Sequence, residues 1–227
     1  MPRARRPRGE TVDHRTMHEA TWSRADAIAL LDDPTRAGRE DPWALWERAS
    51  LAPGMTVVDV GAGTGFYAFP ASELVGPGGR VYAVDVSDDL VSLVRQRARA
   101  RACRNVLAVR SRPTRVPLPD AIADRVLLAN VLHGIPPSTV REAVRLLRPG
   151  GRLIDVDWAK QATPDGPPVE HRLAPAEARR TLESYGLRAV ATAVHGPSHY
   201  VVILQKPERS AVRRRPARPA RRARAPR

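Results

Sequence analysis

Short apolar runs alternate with helical stripes along most of the chain. Thr56 to Val60 is a β-branched run containing Asp59, and it passes straight into Gly61-Ala62-Gly63-Thr64-Gly65. That order predicts a buried parallel strand, a tight turn and a helix N-terminus at Phe66. The helix runs from Phe66 to Val75 and stops at Gly76-Pro77-Gly78-Gly79. Val81 to Asp85 reads as a second buried strand. A helix follows from Asp88 to about Arg101, with Leu90, Leu93 and Val94 as its apolar stripe. Val106–Val109 is a third strand. Pro113, Pro117 and Pro119 make residues 111–124 mostly loop. Arg125–Ala129 is the fourth strand and Asn130-Val131-Leu132-His133 its loop. Ser138 to Leu147 reads as a helix capped by Ser138 and ended by Pro149-Gly150-Gly151. Leu153–Val156 is the fifth strand, followed by a polar loop over 159–170. The helix from Pro175 to Tyr185 stops at Gly186, and the last strands are Leu187–Val194 and Tyr200–Gln205, separated by His195-Gly196-Pro197-Ser198.

Five strand–helix alternations with strands apolar throughout argue for a parallel sheet covered by helices on both faces. The last two strands are joined by too few residues for a crossover, so they pair antiparallel at one edge. The predicted fold is a doubly wound, mostly parallel α/β sheet.

The ends change the picture of size and charge. Residues 1–12 form a basic N-terminal tail with the composition of a disordered segment. The domain covers 13–206. Within it, 13–53 is an N-terminal helical stretch, helical from His14 to Leu31 and again after Asp41-Pro42, which resembles an N-cap followed by proline at the first helical position. Lying before the first core strand, this stretch reads either as a flap over the glycine turn or as a simple packing element. Residues 207–227 hold nine arginines and four prolines, a disordered cationic tail. The formal charge of +14 is therefore largely the tails' own: four arginines against Glu10 at one end and nine against Glu208 at the other. Arginine suits phosphate oxygens, so the tails are candidates for non-specific contact with nucleic acid or another polyanion. The competing reading is incidental composition, since arginine replaces lysine almost everywhere. The single cysteine, Cys103, allows no intrachain disulfide and fits a reducing, cytoplasmic setting. No apolar run reaches the length of a membrane span.

The candidate chemistry lies at the first strand. In a doubly wound sheet ligands lie beyond the carboxyl ends of the strands. Three alternating glycines let a ligand approach bare backbone. Asp85 ends the second strand about 20 residues after the last glycine, where a carboxylate accepts both hydroxyls of a ribose. Two readings compete, a dinucleotide oxidoreductase and a nucleoside-sulfonium transferase. The dinucleotide fingerprint is Gly-x-Gly-x-x-Gly, whereas Gly61, Gly63 and Gly65 are each one residue apart. Asp59 before the turn would repel a diphosphate and favour a cation.

The segments "VVDVGAGTGFY" and "VYAVDVS" closely resemble the class I S-adenosylmethionine-dependent methyltransferases, and "LLANVLHGIP" and "LRPGGRLIDVDW" match that family's later motifs. The resemblance spans about residues 40–206. It implies a Rossmann-like, seven-stranded sheet with an antiparallel last strand. It implies S-adenosyl-L-methionine as cofactor, with Asp59, Gly61, Ala62, Gly63, Thr64 and Gly65 at its methionine end, Asp85 on the ribose and Val86 along the adenine. Asn130 would face the methyl-transfer zone. Where many members place an acid after strand three, this chain has Ser111, a substitute acceptor for the adenine amino group. The relatives it looks most like are small-molecule methylases, including those acting on quinone precursors.

A general base is needed where the acceptor must lose a proton. His133, after strand four, and Asp157, after strand five, are the candidates; a backbone-bonded histidine and a loop-capping acid are the plain alternatives. His171, Arg172, His199 and Tyr200 are candidates for holding an anionic or phenolic acceptor, or else fasten loops. His14 and His18 are one helical turn apart, but no third ligand can be named and no metal is expected. The reading is therefore a methyltransferase of a small-molecule acceptor. The alternatives are an RNA methylase guided by the tails and a non-catalytic cofactor-binding protein. Oligomeric state is not legible.

Overall fold

The computed structural model of the protein describes residues 24–208. The tail at 1–12, His14, His18 and residues 209–227 lie outside the described residues, so the expectations placed on them stand where the sequence left them.

Seven strands form one sheet: β1 (Thr56–Val60), β2 (Arg80–Asp85), β3 (Val106–Arg110), β4 (Ala123–Ala129), β5 (Leu147–Trp158), β6 (Arg188–His195) and β7 (His199–Gln205). Their order is β3-β2-β1-β4-β5-β7-β6. The first five pair in parallel, and β7 runs antiparallel between β5 and β6. The order reverses between β1 and β4, so the crevice expected at a switch point opens beside the glycine turn. The helices are α1 (Arg24–Leu31), α2 (Arg36–Arg39), α3 (Pro42–Arg48), α4 (Ala68–Val75), α5 (Asp88–Ala100), α6 (Pro137–Leu146) and α7 (Pro175–Glu183).

The strand alternation sorts the core into two layers. Val57, Leu127, Ile154 and Val201 pack with Trp46, Tyr67 and Phe69 on one face. Val58, Leu128, Leu153 and Val202 pack with Leu146 and Leu182 on the other. Helices on both sides explain why β1 and β4 are apolar at nearly every position. The outer strand β6 differs from the apolar-throughout expectation, because most of its side chains are exposed. Edge position, with one ladder side unpaired, accounts for it.

Several boundaries move. The helix after the glycine turn begins at Ala68 and not at Phe66, because Gly65 N donates to Ala62 O at 2.9 Å and closes a separate turn first. Ser138 is not a helix cap: α6 begins at Pro137 behind Pro136, with no side-chain cap, and Ser138 Oγ donates to Pro113 O at 3.3 Å. Proline at the first helical position brings no N–H of its own, and the third-position Thr139 N donates to Pro136 O at 2.9 Å. The helix after Asp41-Pro42 ends at Arg48, where Ala49 is the C-cap and Ser50 turns to φ 52°. Asp41 does cap α3, accepting from Trp43 N at 2.9 Å and Ala44 N at 3.1 Å.

The segment before β1 is tied to the far edge of the sheet. Gly196, in the β6–β7 turn, has φ +63°, and a methyl group there would lie 2.2 Å from Arg39 O. We expect Gly196→Ala to destabilise the protein by about 2–3 kcal/mol through strain and collision together, read as a lower urea midpoint with an unchanged m-value.

Candidate active site

The glycine turn follows from its own hydrogen bonds. Gly61 N and Ala62 N both donate to Val84 O, at 2.8 and 3.0 Å. Gly63 N donates to Asp85 Oδ2 at 2.9 Å. All three glycines have positive φ, which other residues adopt only with strain. A methyl group on Gly61 would lie 2.8 Å from Val131 Cγ1, and one on Gly63 3.1 Å from Leu31 Cδ1. The turn therefore spends most of its N–H groups inside the protein. It offers no obvious phosphate seat, and recognition falls to the carboxylates around it.

Two carboxylates flank the turn. Asp85 is buried and accepts from Gly63 N and, through Oδ1 at 2.9 Å, from Ser87 N. Each carboxylate oxygen keeps a second lone pair for a hydroxyl. Asp59 is 1% exposed, and neither of its oxygens has a hydrogen-bond partner among the described residues. Burial pushes its carboxyl up to about 7, opposed by the charge of Arg36 and reinforced by Asp85. A bound cation would favour its ionised form. A nucleoside with a positively charged group therefore fits the residues present: hydroxyl acceptors at Asp85 and a buried, partnerless carboxylate at Asp59. Val86, beside Asp85, is one of the exposed large apolar side chains. Ser111 is buried, its hydroxyl donating to Asp85 O at 3.4 Å and its N donating to the same oxygen at 2.9 Å.

The ends of β4 and β5 bring His133 and Asp157 together. His133 Nδ1 lies 3.0 and 2.9 Å from the two carboxylate oxygens of Asp157. Both side chains are buried, 7% and 2% exposed. Trp158 N also donates to Asp157 Oδ1, at 2.8 Å. An ionised carboxylate only accepts, so Nδ1 carries the proton and Nε2 the lone pair. Burial opposes the charge on His133, but the hydrogen bond and charge of Asp157 outweigh it and the opposing charge of Arg172, so its pKa is raised. Asp155, two residues back on the same face, is fully buried. Burial first, and then the charge of Asp157, push its carboxyl far up, so it stays protonated there.

The four residues named for the acceptor divide. Arg172 gives its N–H groups to Pro167 O, Ala159 O, Gln161 O, Asp165 O and Thr163 Oγ1, and so fastens the 159–170 loop. His199 is buried against Trp158, with ring centroids 4.3 Å apart, and burial lowers its pKa to about 4. Ser198 Oγ lies 3.0 Å from its Nδ1. Tyr200 faces the Asp155 layer, buried. His171 ends a single 3-10 turn at Val169–His171.

Glu40 is a residue that sequence reasoning missed. It is 2% exposed and accepts from Arg36 Nε at 3.1 Å, Arg36 Nη2 at 3.2 Å, Tyr67 Oη at 3.1 Å and Asn130 Nδ2 at 2.7 Å. Its only signal in the sequence was an Arg36–Glu40 spacing of one helical turn, which elsewhere marks an ordinary surface pair.

The pattern of the family described as "Methyltransferase domain" matches residues 58–155. A protein named "Ubiquinone/menaquinone biosynthesis C-methyltransferase UbiE" from Pseudomonas putida is 30% identical over 158 residues, covering 66% of this chain and 61% of that protein. Its namesake from Bordetella avium is 31% identical over 153 residues, covering 66% of this chain and 59% of its own length. The chain thus spans about three-fifths of these relatives. A solved S-adenosylmethionine-dependent methyltransferase from Aquifex aeolicus superposes with a TM-score of 0.77 at 31% identity, covering 82% of this chain and 100% of that one. The sheet order with its reversed last strand, and the carboxylates placed for a cationic nucleoside, agree with these likenesses, and the chain belongs to the class I S-adenosylmethionine-dependent methyltransferases.

Proposed function

We propose that this protein transfers the methyl group of S-adenosyl-L-methionine to a small molecule that gives up a proton, with His133 as the base. The observation that carries the proposal is the buried His133–Asp157 pair at the ends of β4 and β5. The cofactor supplies an electrophilic methyl group on a sulfonium, so the chain's own work is alignment, exclusion of water and removal of a proton. Asp59 balances a positive charge. Asp85 holds ribose hydroxyls, Val86 and Ser111 border the adenine, and Gly61 to Gly65 form the backbone wall. Asp157 holds the His133 ring in the tautomer that presents Nε2. His171, His199 and Tyr200 are proposed to border the acceptor. The relatives named for quinone biosynthesis support a small-molecule acceptor.

The raised pKa of His133 sets a pH dependence. A base must be neutral, so the methylation rate climbs as pH rises through a midpoint above the ordinary 6.5. The pair's contribution to stability has the opposite sense: it is complete below the unfolded value and lost as pH rises through the folded one. Asp157→Asn removes the groups that raise the pKa and leaves burial and Arg172, which lower it. We expect the midpoint of the rate profile to fall by about one pH unit or more. An unmoved midpoint would remove His133 from the role of base.

The deciding experiment incubates the full chain with methyl-labelled cofactor and separated metabolite, RNA and protein pools. Label is expected in the metabolite pool and to accumulate there at least about 100-fold more slowly with His133→Ala; label confined to RNA would overturn the proposal. The arginine-rich segment 207–227 is proposed to contact polyanions weakly, in a reducing cytoplasm that suits the free Cys103. Removing residues 209–227 is expected to abolish salt-sensitive RNA retention and leave metabolite methylation intact. Among the described residues no helix is long and apolar enough to cross a membrane.

A further inference from the structure

Asn130 follows β4 directly and sits in the left-handed region, φ 56°, where asparagine is among the few residues tolerated. Its N donates to Val156 O at 2.8 Å, so the backbone is pinned. The following residue, Val131, packs on Gly61. Asn130 therefore stands where the glycine turn meets the segment before β1. Its side-chain amide meets Glu40, with Nδ2 2.7 Å from Oε2. Its Oδ1 is buried and has no hydrogen-bond partner among the described residues.

The orientation of that amide follows from chemistry. Burial opposes charge on Glu40, but Arg36, His199 and Tyr67 outweigh it and hold the carboxyl below its usual range. An ionised carboxylate has no proton to give, so the atom against it must be the amide nitrogen. Turning the amide over would set two acceptor oxygens against each other at hydrogen-bond distance. Arg36 blocks the other escape, since its paired N–H groups keep the carboxylate in place. A buried acceptor left without a donor costs roughly 1–3 kcal/mol, which marks Oδ1 as an atom kept for a ligand. The Asp59 carboxylate is the other partnerless acceptor argued for a ligand here, and the two differ in charge. A cation is better matched by the Asp59 carboxylate, and a neutral donor by an amide oxygen.

We propose that Glu40 is a positioning residue that locks the Asn130 amide so that Oδ1 receives a hydrogen bond from the methyl acceptor, which makes the site selective for acceptors carrying a neutral O–H or N–H. The assignment rests on the methyl-transfer reading above and deepens it. The same proton-bearing heteroatom is what a His133 base requires, so recognition at Asn130 and proton removal at His133 select one chemical class: hydroxyl and amine compounds rather than ethers or carbonyl compounds.

The test uses the full chain saturated with S-adenosylhomocysteine and two small probes of similar shape. Pyrrole donates an N–H and accepts nothing there; furan has a ring oxygen and no donor. By NMR titration the wild-type complex is expected to bind pyrrole about tenfold more tightly than furan. In Glu40→Gln the new amide that keeps its oxygen on Arg36 Nε turns its NH2 toward Tyr67 and residue 130 and gives up the Arg36 Nη2 contact, so Asn130 turns over and presents its own NH2. The preference should then fall to within about twofold. In Glu40→Gln/Asn130→Asp the NH2 of the new amide at position 40 is received by one carboxylate oxygen, the other is presented as acceptor, and the pyrrole preference should return. Glu40 acting only as structural support would not be rescued by the second substitution. No pyrrole preference in the wild type, or a preference retained in Glu40→Gln, overturns the assignment. A loss of S-adenosylhomocysteine affinity in Glu40→Gln that the double variant restores would assign the donor to the cofactor's ammonium, and overturns it as well. The wild-type comparison stands whether or not the variants fold, and failure of the wild type to bind S-adenosylhomocysteine at all would instead reject the methyl-transfer reading.

Discussion

Asp85→Ala is expected to weaken S-adenosylhomocysteine binding by about 100-fold or more in calorimetry, because two hydroxyl-to-carboxylate hydrogen bonds of about 1.5–3 kcal/mol each are removed together. The carboxylate also does structural work. Gly63 N and Ser87 N both donate to it, and alanine strands both. Asp85→Asn separates the two effects, since its amide oxygen still receives one N–H while the charge is gone. It should keep more stability than alanine in urea unfolding and still lose most of the affinity. Gly63→Asp attacks the same contact from the other side. Position 63 has φ +56°, its added Cβ would lie 3.1 Å from Leu31 Cδ1, and a second carboxylate would enter beside Asp85. Like charges there raise each other's pKa, and the Asp85 arrangement is lost. Affinity unchanged in both Asp85→Ala and Gly63→Asp would remove the cofactor assignment at this turn.

That turn was legible because its signal is local. Glycine spacing, an acid before it and an acid at the end of the next strand are all fixed by backbone geometry within about thirty residues. The mostly parallel sheet follows from strand–helix alternation and the antiparallel last pair from its short connection, but the exposure of β6 does not, because it depends on what does not pack there. Helix starts were less legible, because Gly65 N closing on Ala62 O and Pro136 standing in for a cap are choices between near-equal local options. Glu40 was not legible at all. Its partners Tyr67, Asn130 and His199 come from the turn before α4, the loop after β4 and the start of β7, and a carboxylate one turn from an arginine looks like a surface pair until burial is known. Arg172 shows the converse: its position suggested an acceptor contact, and the fold gives its donors to loop carbonyls instead. Sequence carries site chemistry well when one segment builds the site and poorly when tertiary contact assembles it.

His133→Ala is expected to lower the methylation rate by about 10²–10⁴-fold, the range for loss of a positioned base, with S-adenosylhomocysteine affinity unchanged. The size depends on the acceptor. The wild-type rate climbs through the His133 midpoint and the variant's does not, so the deficit should widen up to the plateau and the rising limb should vanish in the variant. His133→Gln keeps a polar side chain that can still reach Asp157 but cannot take a proton, and should be as slow as alanine. Asp157→Ala should cost less than His133→Ala, because it disturbs tautomer and orientation and leaves the imidazole. The double variant should be no slower than His133→Ala alone, since an orienting group has nothing left to orient. Additive losses would mean that Asp157 acts on its own, for instance as the base itself. The pair's burial makes that outcome visible: with the ring gone, Asp157 is the one titratable group of the pair that remains. A carboxylate base would then show as a new rising limb in the His133→Ala profile, and a flat profile confirms the imidazole as the group that takes the proton.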